Sequence, residues 1–275
     1  MSKKNNVKIL CNNIRKNILF AAFNAGAKSA HIGGALSIVE ILSVLFEQIM
    51  NFDYQNPFLE NRDRFILSKG HACLALYSVL AEKGFFEKSE LKNFESSESF
   101  LLGHPVMSRD KGIEFSTGSL GMGLSLGIGL SKAAILKKLK SKIFVLLGDG
   151  ECNEGSVWES ALLASHLNLE NLTVIIDRNN HQQTGTSSEI LNLNDLTLKW
   201  QSFGFQVLEV DGHNIDDLFY AFKEKNNTNK PKAIIAKTIK GKGFSFTENN
   251  NDWHHTVLTK KNYDLALSEI DRNKE

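Results

Sequence analysis

Apolar residues recur at three- and four-residue intervals near the start of the chain, at Ile14, Ile18, Ala22 and Ala25, which predicts a helix ending near Gly26. Ser37, with Glu40 three positions on and an apolar run to Met50, predicts a second helix opened by a capping box. Asn56-Pro57 breaks the chain. The run 64–68 (Arg-Phe-Ile-Leu-Ser) predicts a short strand, followed at Gly70-His71 by a helix to about Glu82. Residues 88–112 are polar and irregular and are expected to cover something beneath them.

From there helix and strand patterns alternate. A small-residue helix is predicted over 119–138, a buried strand over 142–147, a helix over 154–168 and a strand over 172–176. Further strands are expected at 205–210 and 232–238, with Asn214 as the N-cap of a helix over 215–225 between them. A glycine-punctuated loop over 240–251 leads to Trp253-His254-His255, and the Asn-rich cluster at 226–229 reads as a surface turn. This alternation predicts an α/β fold, a parallel sheet with helices on both faces. Ligands of such sheets bind beyond the carboxyl ends of the strands. Four clusters of glycine and polar residues fall at predicted strand ends, at 68–71, 148–150, 177–180 and 211–214, and point to one shared site.

Composition narrows the classes. With 32 basic and 31 acidic residues the net charge is +1, which excludes a surface dedicated to nucleic acid. The longest charge-free stretch, 115–131, carries five glycines and is too polar for a membrane helix, and the first eight residues lack an apolar signal core. Cys11, Cys73 and Cys152 are too few and too scattered for a disulfide framework or a CxxC metal site. They are expected to be free thiols of a cytoplasmic protein.

The sharpest chemical signal is Gly148-Asp149-Gly150, separated by residues 151–178 from Asn179-Asn180. A strand ends in the Asp, a helix crosses back, and the adjacent parallel strand ends in the Asn, so both side chains emerge side by side. Carboxylate and amide oxygens suit Mg²⁺, which is usually shared with substrate phosphates. Gly150 clears space for an anion near the start of the next helix, so a diphosphate is the natural guest. Each half of the motif alone is more often a plain turn. Joined through strand, helix and strand, they favour a site.

The pair resembles the thiamine diphosphate motif, and the surrounding segments resemble transketolase. These are Lys28-Ser29-Ala30-His31, the run from Asn61 to His71, Gly103-His104-Pro105, the run from Ser116 to Gly121, Gly148-Asp149-Gly150-Glu151 with Glu154-Gly155, Asp211-Gly212-His213, and Thr238 to Gly243. They stand in the family's order and span nearly the whole chain. The resemblance implies a thiamine diphosphate-binding fold, as a single domain over 1–275 with a C-terminal extension from about 240. It implies thiamine diphosphate and Mg²⁺ as cofactors, and transfer of a two-carbon ketol unit from a ketose phosphate to an aldose phosphate. It also implies that this is the N-terminal subunit of a split transketolase. Its partner would be a C-terminal subunit carrying the pyrimidine-binding and C-terminal domains, in an α₂β₂ assembly without nucleic acid or membrane. The alternatives are a subunit of another thiamine diphosphate enzyme (deoxyxylulose phosphate synthase-like or 2-oxo acid dehydrogenase-like) and a non-catalytic binding subunit.

By the same resemblance, Asp149 and Asn179 match the Mg²⁺ side-chain ligands and His181 the main-chain ligand. Gly150 matches a diphosphate contact, while Gly118 and Leu120 match the loop that touches the cofactor. His31, His71 and His104 match histidines lining the cofactor and substrate channel, and His254 the late histidine near the diphosphate. Glu154 matches a glutamate linked across the dimer interface, although a carboxylate at a helix start is also stabilised by the dipole alone. The histidines are expected to exchange protons near neutrality, where an unperturbed imidazole titrates. Ala30, Ile32, Met122 and His255 depart from the family's usual residues, so the orientation of His31 and the choice between His254 and His255 stay open.

Overall fold

Along the strand Ile143–Gly148 the side chains alternate between two separate apolar cores. Phe144 and Leu146 enter one, while Ile143, Val145 and Leu147 enter the other. Burial on both sides is why this strand reads as an unbroken apolar run, and it is the environment of a parallel sheet covered on both faces. The computed structural model describes residues 3–225 and 229–272. Its sheet comprises β1 (Arg64–Leu67), β2 (Ile143–Gly148), β3 (Leu172–Arg178), β4 (Gln206–Asp211) and β5 (Lys232–Lys237). Every pairing is parallel, in the order β1-β2-β3-β5-β4.

The helices are α1 (Lys3–Ala25), α2 (Gly33–Leu36), α3 (Val39–Val44), α4 (Cys73–Glu82), α5 (Gly123–Leu136), α6 (Gly155–His166), α7 (Ser187–Ile190), α8 (Leu196–Ser202), α9 (Ile215–Lys223) and α10 (Lys260–Arg272). Ile14 of α1, Ile41 of α3, Leu76 of α4, Leu218 of α9 and Ala266 of α10 share one core. Leu124 of α5, Val157 of α6 and Trp200 of α8 fill the other. The chain leaves β3 towards the α8 face, but it leaves β5 towards α1, where Arg15 Nε donates to Lys242 O at 3.2 Å. That divergence opens a crevice beyond the carboxyl ends of β3 and β5.

Most expected elements form within a few residues of their predicted limits, and Asn214 caps α9 by accepting from the amides of Asp216 and Asp217. The capping box at Ser37 and Glu40 does not form. Helical turns already begin at Gly33, and Ser37 closes α2 with its Oγ donating to Gly34 O and to Asp177 Oδ2. Glu40 turns instead to Arg15 and His213. Charged partners in the interior outcompete the local cap that such side chains otherwise make.

Two short helices, α7 and α8, occupy a segment with no predictive periodicity. Of the expected Asn-rich turn, 226–228 lie outside the described residues, and Asn229 has a φ of 54°. The 88–112 stretch holds only short 3-10 turns, Lys88–Asn93 and Arg109–Lys111. It buries Leu91, Phe94 and Leu101 in the first core, and Tyr77 of α4 donates to Leu102 O at 2.8 Å. Beyond 240 the chain rejoins the same core. Thr256 pairs with Ala30, and Tyr263 of α10 stacks on Phe23 of α1 with centroids 4.6 Å apart. No described helix is long and apolar enough to cross a membrane.

Two glycines of α5 make a paired test of this packing. A Cβ on Gly127 would lie 2.4 Å from Val145 Cγ2 of β2, whereas one on Gly129 meets nothing within 4 Å. Gly127→Ala is expected to cost about 1–3 kcal/mol through overpacking. Gly129→Ala is expected to stabilise by up to about 1 kcal/mol, since alanine has the higher helix propensity. Urea unfolding of both variants checks the opposite signs.

Candidate active site

At the carboxyl end of β3 sits a fully buried carboxylate, Asp177. Its Oδ2 accepts from Lys69 Nζ at 2.6 Å, from Ser37 Oγ at 2.6 Å and from Asn179 Nδ2 at 2.9 Å, while Oδ1 accepts from Thr238 Oγ1. Burial alone would raise this carboxyl, but the Lys69 ammonium and the hydroxyl donors outweigh it and hold it below the usual range. Four segments of chain, after β1, at the end of α2, after β3 and after β5, are thereby tied to one point.

Asp149 follows β2 and is 3% exposed. Its Oδ1 accepts from Gly150 N at 2.9 Å, and its Oδ2 accepts from Asn180 N at 2.8 Å and Ser187 Oγ at 3.1 Å. Among the described residues no lysine, arginine or histidine forms an ion pair with it. Burial, and then the negative charge of Asp177, push its carboxyl up to about 6. β2 and β3 are in register with Gly148 opposite Asp177, which brings the residues following each strand side by side. Asn179 is 7% exposed, and its amide nitrogen is spent on Asp177. Its Oδ1, accepting from His181 N at 3.0 Å, keeps a second lone pair.

A cavity of about 400 Å³ opens over these strand ends. All eleven expected site residues line it: His31, His71, His104, Gly118, Leu120, Asp149, Gly150, Glu154, Asn179, His181 and His254. The loop carrying Gly118 is seated tightly, because a Cβ on Gly70 would stand 2.7 Å from Gly118 N. Gly118 itself has a φ of +149° and its own Cβ position lies 2.9 Å from the His104 ring, so only glycine fits there. Glu154 stands exposed at the rim, at the N-cap of α6, without a side-chain capping hydrogen bond. Glu151, buried, accepts from Ser68 Oγ, Gly121 N and Gly148 N and so joins the ends of β1 and β2 to the glycine loop.

The imidazoles form one cluster. Ring centroids lie 5.3 Å apart for His31 and His254, 5.5 Å for His71 and His254, 5.6 Å for His31 and His71, and 5.7 Å for His31 and His104. His254 lines the cavity, while His255 stands outside it with its ring 4.3 Å from His31 and Ser29 Oγ 3.0 Å from its Nε2. The expected titration near neutrality is not what the site supports. Burial, then the neighbouring histidines, lower His31 to about 3; burial, then Lys240 and Lys69, lower His254 to about 4; burial and Lys69 hold His71 well below its ordinary value. These three rings are neutral at pH 7, and each presents one donor and one acceptor nitrogen.

Lys69, Lys240, Glu151 and Asp177 belong to the site but were given no role from the sequence, although Lys69 and Asp177 stand in two of the clusters expected there. Lys240 is 2% exposed, and its Nζ donates to Gln182 O at 2.8 Å and Asn251 Oδ1 at 3.1 Å inside the cavity wall. Burial and the Lys69 charge lower its ammonium to about 8, against the pull of Asp149 and Asp177. The available signal was a charged residue among the closing residues of a strand or within three positions of its end. Among the described residues, several buried polar atoms lining the cavity have no hydrogen-bond partner: Asn153 Oδ1, Gln182 Nε2, His181 Nδ1 and His254 Nδ1. Among the described residues no three His, Cys, Asp or Glu side chains converge on a metal position, so a cation here would be held by mixed carboxylate, amide and main-chain oxygens.

Residues 8–271 match the family model described as transketolase, thiamine diphosphate binding domain. The chain is 42% identical over 245 residues to a subunit of the apulose-4-phosphate transketolase of Phocaeicola vulgatus, covering 89% of this chain and 87% of that one. It is 40% identical over 243 residues to the 6-deoxy-6-sulfo-D-fructose transketolase subunit SqwG of Clostridium sp. strain MSTE9, covering 88% of each. The crystal structure of transketolase from Campylobacter jejuni superposes with a TM-score of 0.86 at 31% identity, over 96% of this chain but 43% of that one. The chain therefore spans less than half of that longer protein.

Removing the Asp177 carboxylate by Asp177→Ala leaves the Lys69 ammonium buried without a counter-charge and is expected to cost about 3–5 kcal/mol. Urea unfolding measures it, and a loss below about 1 kcal/mol is incompatible with the hub. The lowered histidines also set a pH dependence. They ionise near 6.5 when unfolded and near 3–4 when folded, so the unfolded chain binds more protons in between. Their stability contribution is complete above pH 6.5 and is lost as pH falls towards 4. Asp149, whose folded value is raised, offsets part of this below about pH 6. The urea midpoint should fall from pH 7 to pH 5, and His31→Gln should flatten that slope.

Proposed function

The chain belongs to the transketolase family through its thiamine diphosphate-binding domain, and on that premise we propose that it is the N-terminal half of a split transketolase that works with a second chain. The observation that carries this reading is the shared cavity, in which Asp149 and Asn179 leave neighbouring parallel strands beneath four clustered histidines. The match over nearly the full length of two relatives named as subunits supports the two-chain arrangement.

The residues present fit both Mg²⁺ and thiamine diphosphate. Among the described residues Asp149 is a buried carboxylate without a cationic partner, Asn179 is locked with an amide oxygen to spare, and unpartnered polar atoms line the adjoining wall. Asp149 and Asn179 would hold the metal, with His181 adding its main-chain carbonyl. A Cβ on Gly150 would stand 2.9 Å from Gln182 Cγ, so this glycine keeps the approach to the metal narrow but open. Lys240, whose ammonium is bonded to neutral oxygens, would balance a diphosphate charge. Gly118 and Leu120 would bound the cofactor, with Glu154 at the rim facing the second chain.

The chemistry the cofactor would supply is stabilisation of the carbanion left when the C2–C3 bond of a ketose phosphate breaks. The protein's share is orientation and hydrogen bonding. His31, His71 and His254 are neutral at pH 7, so each can donate to one sugar hydroxyl oxygen and accept from another. As bases they are weak in this state, which assigns them first to binding and alignment and only then to proton transfer, once an anion beside them raises their affinity for protons. Sugar phosphates as substrates, an α₂β₂ assembly and a cytoplasmic setting complete the proposal; three buried free cysteines suit a reducing compartment.

Calorimetric titration of Mg²⁺ and thiamine diphosphate into the purified chain, alone and with a separately expressed C-terminal transketolase half, tests the reading. Ketol transfer from xylulose 5-phosphate is expected only in the mixture, and pyruvate is expected not to serve as donor. Because two relatives are named for a sugar phosphate and a sulfo sugar, both donor types belong in the screen. Asp149→Asn should weaken Mg²⁺-dependent cofactor binding by at least about 100-fold, at or beyond the upper range for residues that merely support a ligand. Undiminished transfer by that variant, or robust turnover by the chain alone, would overturn the proposal.

A further inference from the structure

We propose that His213 is a positioning residue that fixes the Lys240 loop against the cavity, its ring accepting from the loop backbone while Glu40 sets its tautomer. The inference rests on reading the cavity as the cofactor site, and it concerns a residue that does not itself line that cavity.

Several backbone contacts hold the loop after β5, among them Asn249 N donating to Lys240 O at 2.9 Å, and three run to the turn after β4, to α2 and to α1. Ile239 N donates to His213 Nε2 at 2.8 Å, Gly241 N donates to Gly33 O at 2.9 Å, and Lys242 O accepts from Arg15 Nε at 3.2 Å. Lys240 lies between the first two, so its main chain is set before its side chain enters the cavity wall. The His213 contact fixes the ring chemically. A nitrogen that accepts from an amide carries no proton, so Nε2 is bare and the proton of the neutral ring resides on Nδ1. Nδ1 stands 2.9 Å from Glu40 Oε2 and donates to it.

Glu40 couples two of the three clamps. Its other oxygen accepts from Arg15 Nη2 at 2.6 Å, and Arg15 is the side chain that holds Lys242 O. The carboxylate is 8% exposed; burial would raise it, yet Arg15 and His213 outweigh burial and keep it ionised. Gly243 closes the arrangement, since at φ +116° its Cβ position would lie 2.5 Å from Arg15 Nε. One buried carboxylate thus aligns an imidazole and a guanidinium, and these grip the backbone on either side of Lys240. Lysine has a long, flexible stem, so fixing its base is the means by which a loop aims the ammonium. This also gives a physical use to His213 in the turn after β4, far along the chain from every cavity-lining side chain.

The two amide variants separate the ring's two bonds. Glutamine reaches the Nε2 position and keeps an acceptor for Ile239, whereas asparagine reaches only the Nδ1 position and keeps the Glu40 bond alone. Two measurements on the full chain decide: the dissociation constant of thiamine diphosphate with Mg²⁺, by calorimetry, and hydrogen exchange of the 239–243 amides without ligand. His213→Asn is expected to speed exchange in this segment and to weaken cofactor binding about 10-fold, in the range of residues that orient a ligand. His213→Gln is expected to retain slow exchange and affinity within about threefold. Equal weakening in both variants, no change in either, or failure of His213→Asn to fold would assign His213 to general stability and overturn the proposal. Were the unaltered chain itself not to bind the cofactor, the functional reading would fall, while the exchange data would still decide the clamp.

Discussion

One buried carboxylate, Asp177, is the constraint on which the site depends. It is fully removed from water, and an ion there persists only if its lone pairs are met by donors and its charge by a cation. Lys69 supplies the cation, while Ser37, Thr238 and Asn179 supply the remaining donors. Each comes from a different part of the chain, so satisfying a single anion gathers the ends of three strands and a helical turn. The same requirement orients Asn179. With its nitrogen drawn to Asp177, its oxygen faces away, and the amide becomes a fixed oxygen donor beside Asp149. The placement of the proposed metal ligands is therefore a by-product of neutralising their neighbour.

Charge is distributed unevenly over this edge of the sheet. Asp177 is paired with Lys69, while Glu151 and Asp149 are each hydrogen-bonded by a hydroxyl and two amides and, among the described residues, neither forms an ion pair. Lys240 sits opposite, its ammonium bonded only to neutral oxygens. A buried anion short of a cation and a buried cation short of an anion, facing one cavity, are complementary to a guest carrying both signs. A metal–diphosphate pair has that form. The crowded imidazoles respond to the same low-dielectric setting by shedding their protons, which makes them versatile hydrogen-bonding groups for a polyhydroxylated substrate.

The transketolase fold was largely legible because its signals are local. Apolar runs flanked by glycine and polar residues located β1, β2, β3 and β5, since burial on both faces leaves little room for polar alternation, whereas β4 at the sheet edge is half-exposed and alternates apolar with polar residues. Asn214 announced its helix because a cap acts over three residues. Ser37 and Glu40 misled for the converse reason. Their spacing matched a cap, but Asp177, Arg15 and His213 lie 25 to 173 positions away and bind more strongly. α7 and α8 were illegible because short helices are held by tertiary contacts more than by periodicity.

Asp149, Gly150 and Asn179 could be named in advance because they sit in short segments at strand ends, where the sheet brings them together; the other expected site residues were named through the resemblance to transketolase segments. The amino-acid pattern alone placed Asp149 and Asn179 at one edge of the sheet, because β2 and β3 are joined by one crossover helix and consecutive parallel strands usually lie side by side. The protonation of His31 and His254, the tautomer of His213, and the service of Lys69 and Lys240 emerge only in the folded chain. Those properties depend on burial and on charges contributed by distant segments, and no neighbour in the chain encodes either.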